Sequence, residues 1–109
     1  MINVTVENFE QEVLASAEPV LVDFWAAWCM PCRMLSPVLE ELDEEDHGCK
    51  FAKVNIDESP LLAAMYNVMS IPTLILFKDG QAVSREVGVR TKEEIVYLIS
   101  NSIENPIEN

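Results

Sequence analysis

The chain has 109 residues, half of them apolar, and 19 acidic against 7 basic side chains, for a formal charge of -12. That length suits one compact domain spanning 1–109, with too few residues for a second core. The acidity excludes nucleic acid and anionic membrane as expected partners, and three cysteines are too few for a disulfide scaffold.

The N-terminus, Met1-Ile2-Asn3-Val4-Thr5-Val6-Glu7, carries no basic segment followed by an apolar stretch, so a soluble protein made without a Sec signal is expected. Asn8 with Gln11 reads as a capping pair that opens a first helix, with Phe9, Val13 and Ala17 at spacing four and Pro19 ending it. Val20 to Trp25 is apolar on both faces apart from Asp23, the pattern of a central strand covered by helices on both sides.

That strand gives way to Trp28-Cys29-Met30-Pro31-Cys32, followed by helix-spaced Leu35, Val38, Leu39 and Leu42. A dithiol at a strand-to-helix junction is a redox centre in the making. Unpaired N–H groups and the positive end of the macrodipole favour a thiolate at the first sulfur. Two intervening residues bring the second cysteine close enough to close a small ring and release whatever the first has attacked. Pro37 inside the helix removes a bond to the Arg33 carbonyl and should kink it. Glu40, Glu41, Asp43, Glu44, Glu45 and Asp46 then form an acidic run, read as a solvated face whose charges oppose the macrodipole, so that end should fray.

Phe51 to Ile56 is the next strand, completing a strand-helix-strand unit. Ser59 caps and Pro60 starts a short helix that ends near Asn67, with Leu61, Ala64, Met65 and Val68 as its apolar stripe. Thr73 to Lys78 and Gln81 to Val87 flank Asp79-Gly80, a two-residue hairpin signal. Thr91 with Glu94 is a capping box for the last helix, whose buried stripe is Ile95, Leu98, Ile99 and Ser102 or Ile103. The fold class is therefore α/β, a mixed sheet between layers of helices.

Asp23 is costly to ionise inside an apolar strand, and burial should raise its pKa. Six residues before Cys29 on the same strand, it can sit beneath the dithiol as a general base and acid that takes the proton of Cys32. A shifted register would instead expose it. Lys53 lies in a similar apolar strand and would pair with Asp23 if both are buried; a solvated lysine at a strand edge is the other reading. Cys29, Cys32, His47 and Cys49 have the ligand types of a structural zinc site. A helix of about 14 residues at ~1.5 Å each separates the two halves by some 20 Å, however. Cys49 is better read as a small buried hydrophobe and His47 as a solvated loop residue.

Three segments together resemble the thioredoxin family over nearly the whole chain: Asp23-Phe24-Trp25-Ala26-Ala27-Trp28-Cys29-Met30-Pro31-Cys32-Arg33, Ala52-Lys53-Val54-Asn55-Ile56-Asp57 and Ser70-Ile71-Pro72-Thr73-Leu74. The resemblance implies a thioredoxin fold with about five strands flanked by four helices, a buried acid at Asp23 and a modulating lysine at Lys53. It also implies a cis bond before Pro72, facing the cysteines, which sequence alone would not suggest. The Ile71 backbone would then pair with an extended substrate segment. Trp28, which by itself fits a core as well, would join Met30, Pro31, Ile71 and the loop at Gly88 in an apolar docking patch. Gly88 permits close backbone approach there. The family motif has glycine where this chain has Met30, so Met30, Pro31 and Pro72 are the residues expected to tune the redox pair.

The implied activity is reduction of disulfides in other proteins by a cytoplasmic monomer. It needs no bound cofactor and is recycled by a thioredoxin reductase drawing on NADPH. Two alternatives stand beside it: an oxidant or isomerase, and a non-catalytic subunit that uses only the docking patch.

Overall fold

A computed structural model describes residues 1–104, so the last five residues of the expected domain lie outside the described residues. Among the described residues five strands form one mixed sheet in the order β1-β3-β2-β4-β5, as the thioredoxin resemblance implies. They are β1 (Ile2–Asn3), β2 (Val20–Trp25), β3 (Lys50–Asn55), β4 (Thr73–Lys78) and β5 (Gln81–Val87). β1 and β2 run parallel to β3, while β4 is antiparallel to β2 and β5. The helices are α1 (Met30–Asp43), α2 (Pro60–Met65) and α3 (Lys92–Glu104), with a π-wound segment at Glu10–Leu14 as the fourth helical piece.

Strand alternation divides the apolar residues between two cores. Val20, Val22 and Phe24 point to one face, where they meet Phe9, Val13, Ala52, Val54, Leu62, Ile75 and Phe77. Leu21, Phe51, Leu74 and Leu76 point to the other, where Leu35, Leu39 and Leu42 of α1 and Ile95 and Ile99 of α3 cover them. Because side chains alternate with period two, Asp23 and Trp25 share the Leu21 face, and Lys53 shares the face of Phe51. Asp23 and Lys53 are direct cross-strand partners in the β2–β3 register.

The hairpin and the last helix form as the sequence predicts. Asp79 and Gly80 both take positive φ, 53° and 79°, as a two-residue turn matched to strand twist requires. The register slips between Leu76 and Phe77, a bulge in the pair. Thr91 N–H donates to Glu94 Oε1 at 2.8 Å and Glu94 N–H donates to Thr91 Oγ1 at 3.1 Å, which is the expected reciprocal cap.

Five expectations are corrected. The first helix is only five residues long and π-wound, with Ala15 N–H donating to Glu10 O. Asn8 does not cap it, because its side chain turns back to accept from Thr5 N–H and donate to Asn3 O. The stripe of α2 is also rotated: Leu61, Ala64 and Met65 are exposed while Leu62 and Ala63 are buried. In six residues two apolar stripes satisfy helical spacing equally well. The rings of Tyr66, Phe9 and Phe77, with centroids 5.1 to 5.6 Å apart, hold the second one inward. Ser59 precedes α2 but makes no side-chain cap bond, and β3 begins and ends one residue earlier than predicted.

The acidic run at the end of α1 is exposed. Cations from distant elements meet it: Lys92 Nζ lies 2.9 Å from Glu41 and 2.8 Å from Glu45, and the Met1 amino group lies 2.9 Å from Asp43.

Candidate active site

The chain leaves the sheet at Trp25 and turns through Ala26, whose carbonyl accepts from Cys29 N–H at 3.2 Å. It enters α1 with Cys29 in extended backbone at the N-cap position. The Cys29 sulfur accepts from Cys32 N–H at 3.1 Å, so it sits where orphan helix donors converge. Met30 and Pro31 occupy the first helical turn, and Pro31 removes a donor that would have had no intrahelical acceptor. The two cysteines are joined as a disulfide with Cα atoms 5.2 Å apart. Both are nearly covered, at 4% and 3% exposure.

What covers them comes from the start of the neighbouring strand β4, which pairs with the end of β2. The Ile71–Pro72 bond is cis, and the Ile71 carbonyl oxygen approaches Cys29 Sγ to 3.9 Å. The Pro72 carbonyl accepts from Gly88 N–H at 2.8 Å. Gly88 has φ 96°, a region hostile to side chains, so its position here is conformational as well as spatial. Trp28 stands outside the core at 66% exposure, and its ring N–H donates to Asp57 Oδ2 at 2.8 Å. Met30 is 59% exposed beside it in sequence. Val87 and Val89 on either side of Gly88 are also exposed.

Beneath the dithiol, Asp23 is 5% exposed. Burial pushes its carboxyl up from an ordinary 3.8 to about 7, and the Lys53 charge opposes that rise. The expected ion pair does not form: among the described residues Lys53 Nζ makes no ion pair with Asp23 within 4 Å, and the Lys53 ammonium lies over the Trp25 ring, 5.3 Å from its centroid. Lys53 is half-buried in an inner strand. A cleft of about 80 Å³ is lined by Asp23, Trp25, Cys32, Arg33, Ser36, Lys53 and Met1, so Asp23 and Cys32 open onto one space.

Sequence reasoning passed over three residues at this site. Asp57 pins Trp28; its signal was a carboxylate just after the end of β3. Arg33 lies over the first turn, its Nη1 donating to Ala27 O at 3.0 Å and its Nη2 3.7 Å from Met30 Sδ. Trp25 lies two residues after Asp23 and therefore on the same face. The candidates for a zinc site part company instead. His47 turns to Glu45 at 2.8 Å, and Cys49 packs against the core of α1 and α3. Burial, with the Glu18 and Asp43 charges, pushes the Cys49 thiol up to about 12, too high for easy ionisation.

The thioredoxin family model matches residues 1–101. A thioredoxin of Rickettsia bellii is 48% identical over 102 residues, covering 93% of this chain and 97% of its own. A thioredoxin of Mycobacterium bovis is 49% identical over 105 residues, covering 95% and 90%. Thioredoxin 1 of Synechococcus elongatus is 53% identical over 101 residues, covering 92% and 94%. Likeness at this level over nearly the full length, with the paired cysteines in place, does not favour a non-catalytic subunit or an isomerase. The chain belongs to the thioredoxin family and is a protein thiol-disulfide oxidoreductase that reduces protein disulfides.

Proposed function

We propose that Cys29 is the attacking nucleophile, Cys32 the resolving thiol and Asp23 the group that takes and returns the Cys32 proton. Cys29 as thiolate attacks one sulfur of a substrate disulfide. A mixed disulfide forms, and the other substrate sulfur leaves as a thiolate that takes a proton from solvent. Cys32 gives up its proton to Asp23 and attacks Cys29 Sγ. The second substrate sulfur then leaves, taking the proton back from Asp23, and the Cys29–Cys32 disulfide closes. The substrate has gained two electrons from the chain and two protons, one from solvent and one from Cys32 by way of Asp23.

The observation that carries this assignment is the position of Cys29 at the N-cap of α1, where its sulfur accepts the Cys32 N–H. Stabilisation of negative charge there favours Cys29 as the thiolate. Asp23 suits proton exchange near neutral pH because burial sets it at about 7 and because it shares a cleft with Cys32. Lys53 acts on Asp23 at a distance through its charge, as a tuning residue without direct contact.

Docking is assigned to Trp28, Met30, Ile71 and the edges of the Gly88 loop, with the Ile71 backbone pairing an extended substrate segment across the cis bond before Pro72. Pro31 and Pro72 keep donors away from the sulfurs. Family membership supports a thioredoxin reductase as the recycling partner and disulfide-bearing proteins as substrates. Among the described residues no helix is long and apolar enough to cross a membrane, and we assign a single-domain monomer working in the cytoplasm.

Trapping tests the order of the two thiols. Cys32→Ser is expected to accumulate stable mixed disulfides with protein substrates, and Cys29→Ser to lose both reduction and trapping. Trapping by Cys29→Ser alone would reverse the roles. Oxidised chain incubated with NADPH and a thioredoxin reductase should regain its two thiols.

A further inference from the structure

Among the described residues two buried side-chain polar atoms have no protein partner, Asp23 Oδ1 and Trp25 Nε1. Both residues stand on the same face of β2, two positions apart, and both line the cleft that Cys32 also lines. An indole N–H left unsatisfied in a protein interior costs about 1 to 3 kcal/mol, and an unsatisfied carboxylate oxygen costs more. A cleft of about 80 Å³ with polar walls is roomy enough for water, which needs roughly 10 to 15 Å³ of such space.

We infer that Trp25 is a positioning residue for the proton transfer: its ring N–H holds a water that bridges Cys32 to Asp23. The hydrogen-bond count sets the orientation of that water. It accepts from Trp25 Nε1–H with one lone pair and donates one hydrogen to Asp23 Oδ1. Its second lone pair remains for the Cys32 S–H. When Cys32 becomes a thiolate, its proton passes to the water oxygen as a water proton passes to Asp23, so no hydronium accumulates and the water is restored. A phenyl ring at position 25 would leave the water anchored only by the thiol and carboxylate between which it must pass the proton.

The charged groups around Asp23 are few. Lys53 approaches from β3, Arg33 from α1 and the Met1 amino group, held by Asp43, from the start of β1; the β4 partner of Asp23 is Leu74. Lys53 sits over the face of the Trp25 ring and not at its N–H edge. The ring N–H therefore stays available to the cleft.

This inference rests on Asp23 accepting the Cys32 proton, and the test separates the two claims. Reduced protein is mixed in stopped flow with excess dithionitrobenzoate, whose two coloured thiolates leave successively: the first on attack by Cys29, the second on attack by Cys32. Two variants remove the ring N–H. One is Trp25→Phe; the other places at position 25 the tryptophan analogue with sulfur in place of the ring N–H, which keeps the ring system and so the packing. Both are expected to leave the first phase unchanged and to slow the second roughly three- to tenfold at pH 7. The deficit should narrow as the pH rises, because hydroxide can then take the Cys32 proton in place of the relay. A second phase as fast as wild type in the sulfur analogue overturns the inference, as does a slowing that is equal at every pH, which would mark mere loss of packing. Asp23→Asn is run alongside. If it slows the second phase at pH 7 while the Trp25 variants do not, Asp23 keeps its role and Trp25 loses the one inferred here. If Asp23→Asn changes nothing, both fall.

Discussion

At the scale of single residues, Asp23 decides both chemistry and stability, and in opposite senses. Its carboxyl titrates at about 7 in the folded chain against an ordinary 3.8, so the folded state binds the proton more tightly than the unfolded state does. Below about pH 4 both states are protonated and burial costs little. Between about pH 4 and pH 7 the unfolded chain ionises while the folded chain keeps its proton, so the penalty grows across that window and levels off near about 4 kcal/mol above it. Asp23→Asn is therefore expected to leave stability nearly unchanged at pH 4 and to raise it by up to about 4 kcal/mol at pH 8. The same change should slow release of mixed disulfides near neutrality. Denaturant unfolding of the oxidised form at the two pH values checks the first half, and an equal gain at both would show that the carboxyl is not the cause. The buried acid was legible in the sequence because a lone carboxylate interrupts an apolar strand. The turn of Lys53 onto Trp25 was not, because register brings the two residues opposite one another without setting the side-chain direction.

At the scale of elements, α1 ties the redox pair to the core. Leu35, Leu39 and Leu42 bury one stripe while Met30, Arg33 and Met34 face outward, so the exposed first turn can vary without disturbing the packing. Met30 stands where the family motif has glycine. The helix-propensity difference between methionine and glycine is at most about 1 kcal/mol. Met30→Gly should shift the potential by no more than about 30 mV, the equivalent of ~1.4 kcal/mol for two electrons. It should alter rates unevenly among protein disulfides, since a flexible thioether adapts to varied surfaces. Equilibration with glutathione and kinetics on several substrates check this; a larger shift with uniform kinetics would place Met30 in the sulfur chemistry. The elements readable in advance were those with strong local signals: β2, the β4–β5 hairpin and the α3 cap. β1 was unreadable because two residues carry no periodicity, and it exists by pairing Ile2 and Asn3 with Ala52 and Lys53. α2 misled because a six-residue helix leaves its inward face to tertiary contacts.

At the scale of the whole molecule, two cores on either side of one sheet leave a surface that must carry a charge of -12. The charge is uneven. Glu40, Glu41, Asp43, Glu44, Glu45 and Asp46 crowd the C-terminal end of α1, where the helix dipole is already negative. Against them stand Lys92 and the Met1 amino group. These exposed pairs contribute little, and salt weakens them. Salt also screens the repulsion among the acids, which outnumber the local cations. Repulsion should therefore dominate the response: raising ionic strength from about 0.01 to 0.5 M, which shortens the screening length from ~30 Å to a few Å, is expected to raise Tm. Glu44→Lys removes one repelling charge and adds a cation favourable to the dipole. It should raise Tm by about 2 to 4 °C at low salt and by less at high salt. Thermal unfolding followed by circular dichroism at both salt concentrations measures both effects. A fall in Tm on adding salt would mean that the Lys92 and Met1 pairs outweigh the crowding, and then Lys92→Ala should lower stability more than Glu44→Lys raises it.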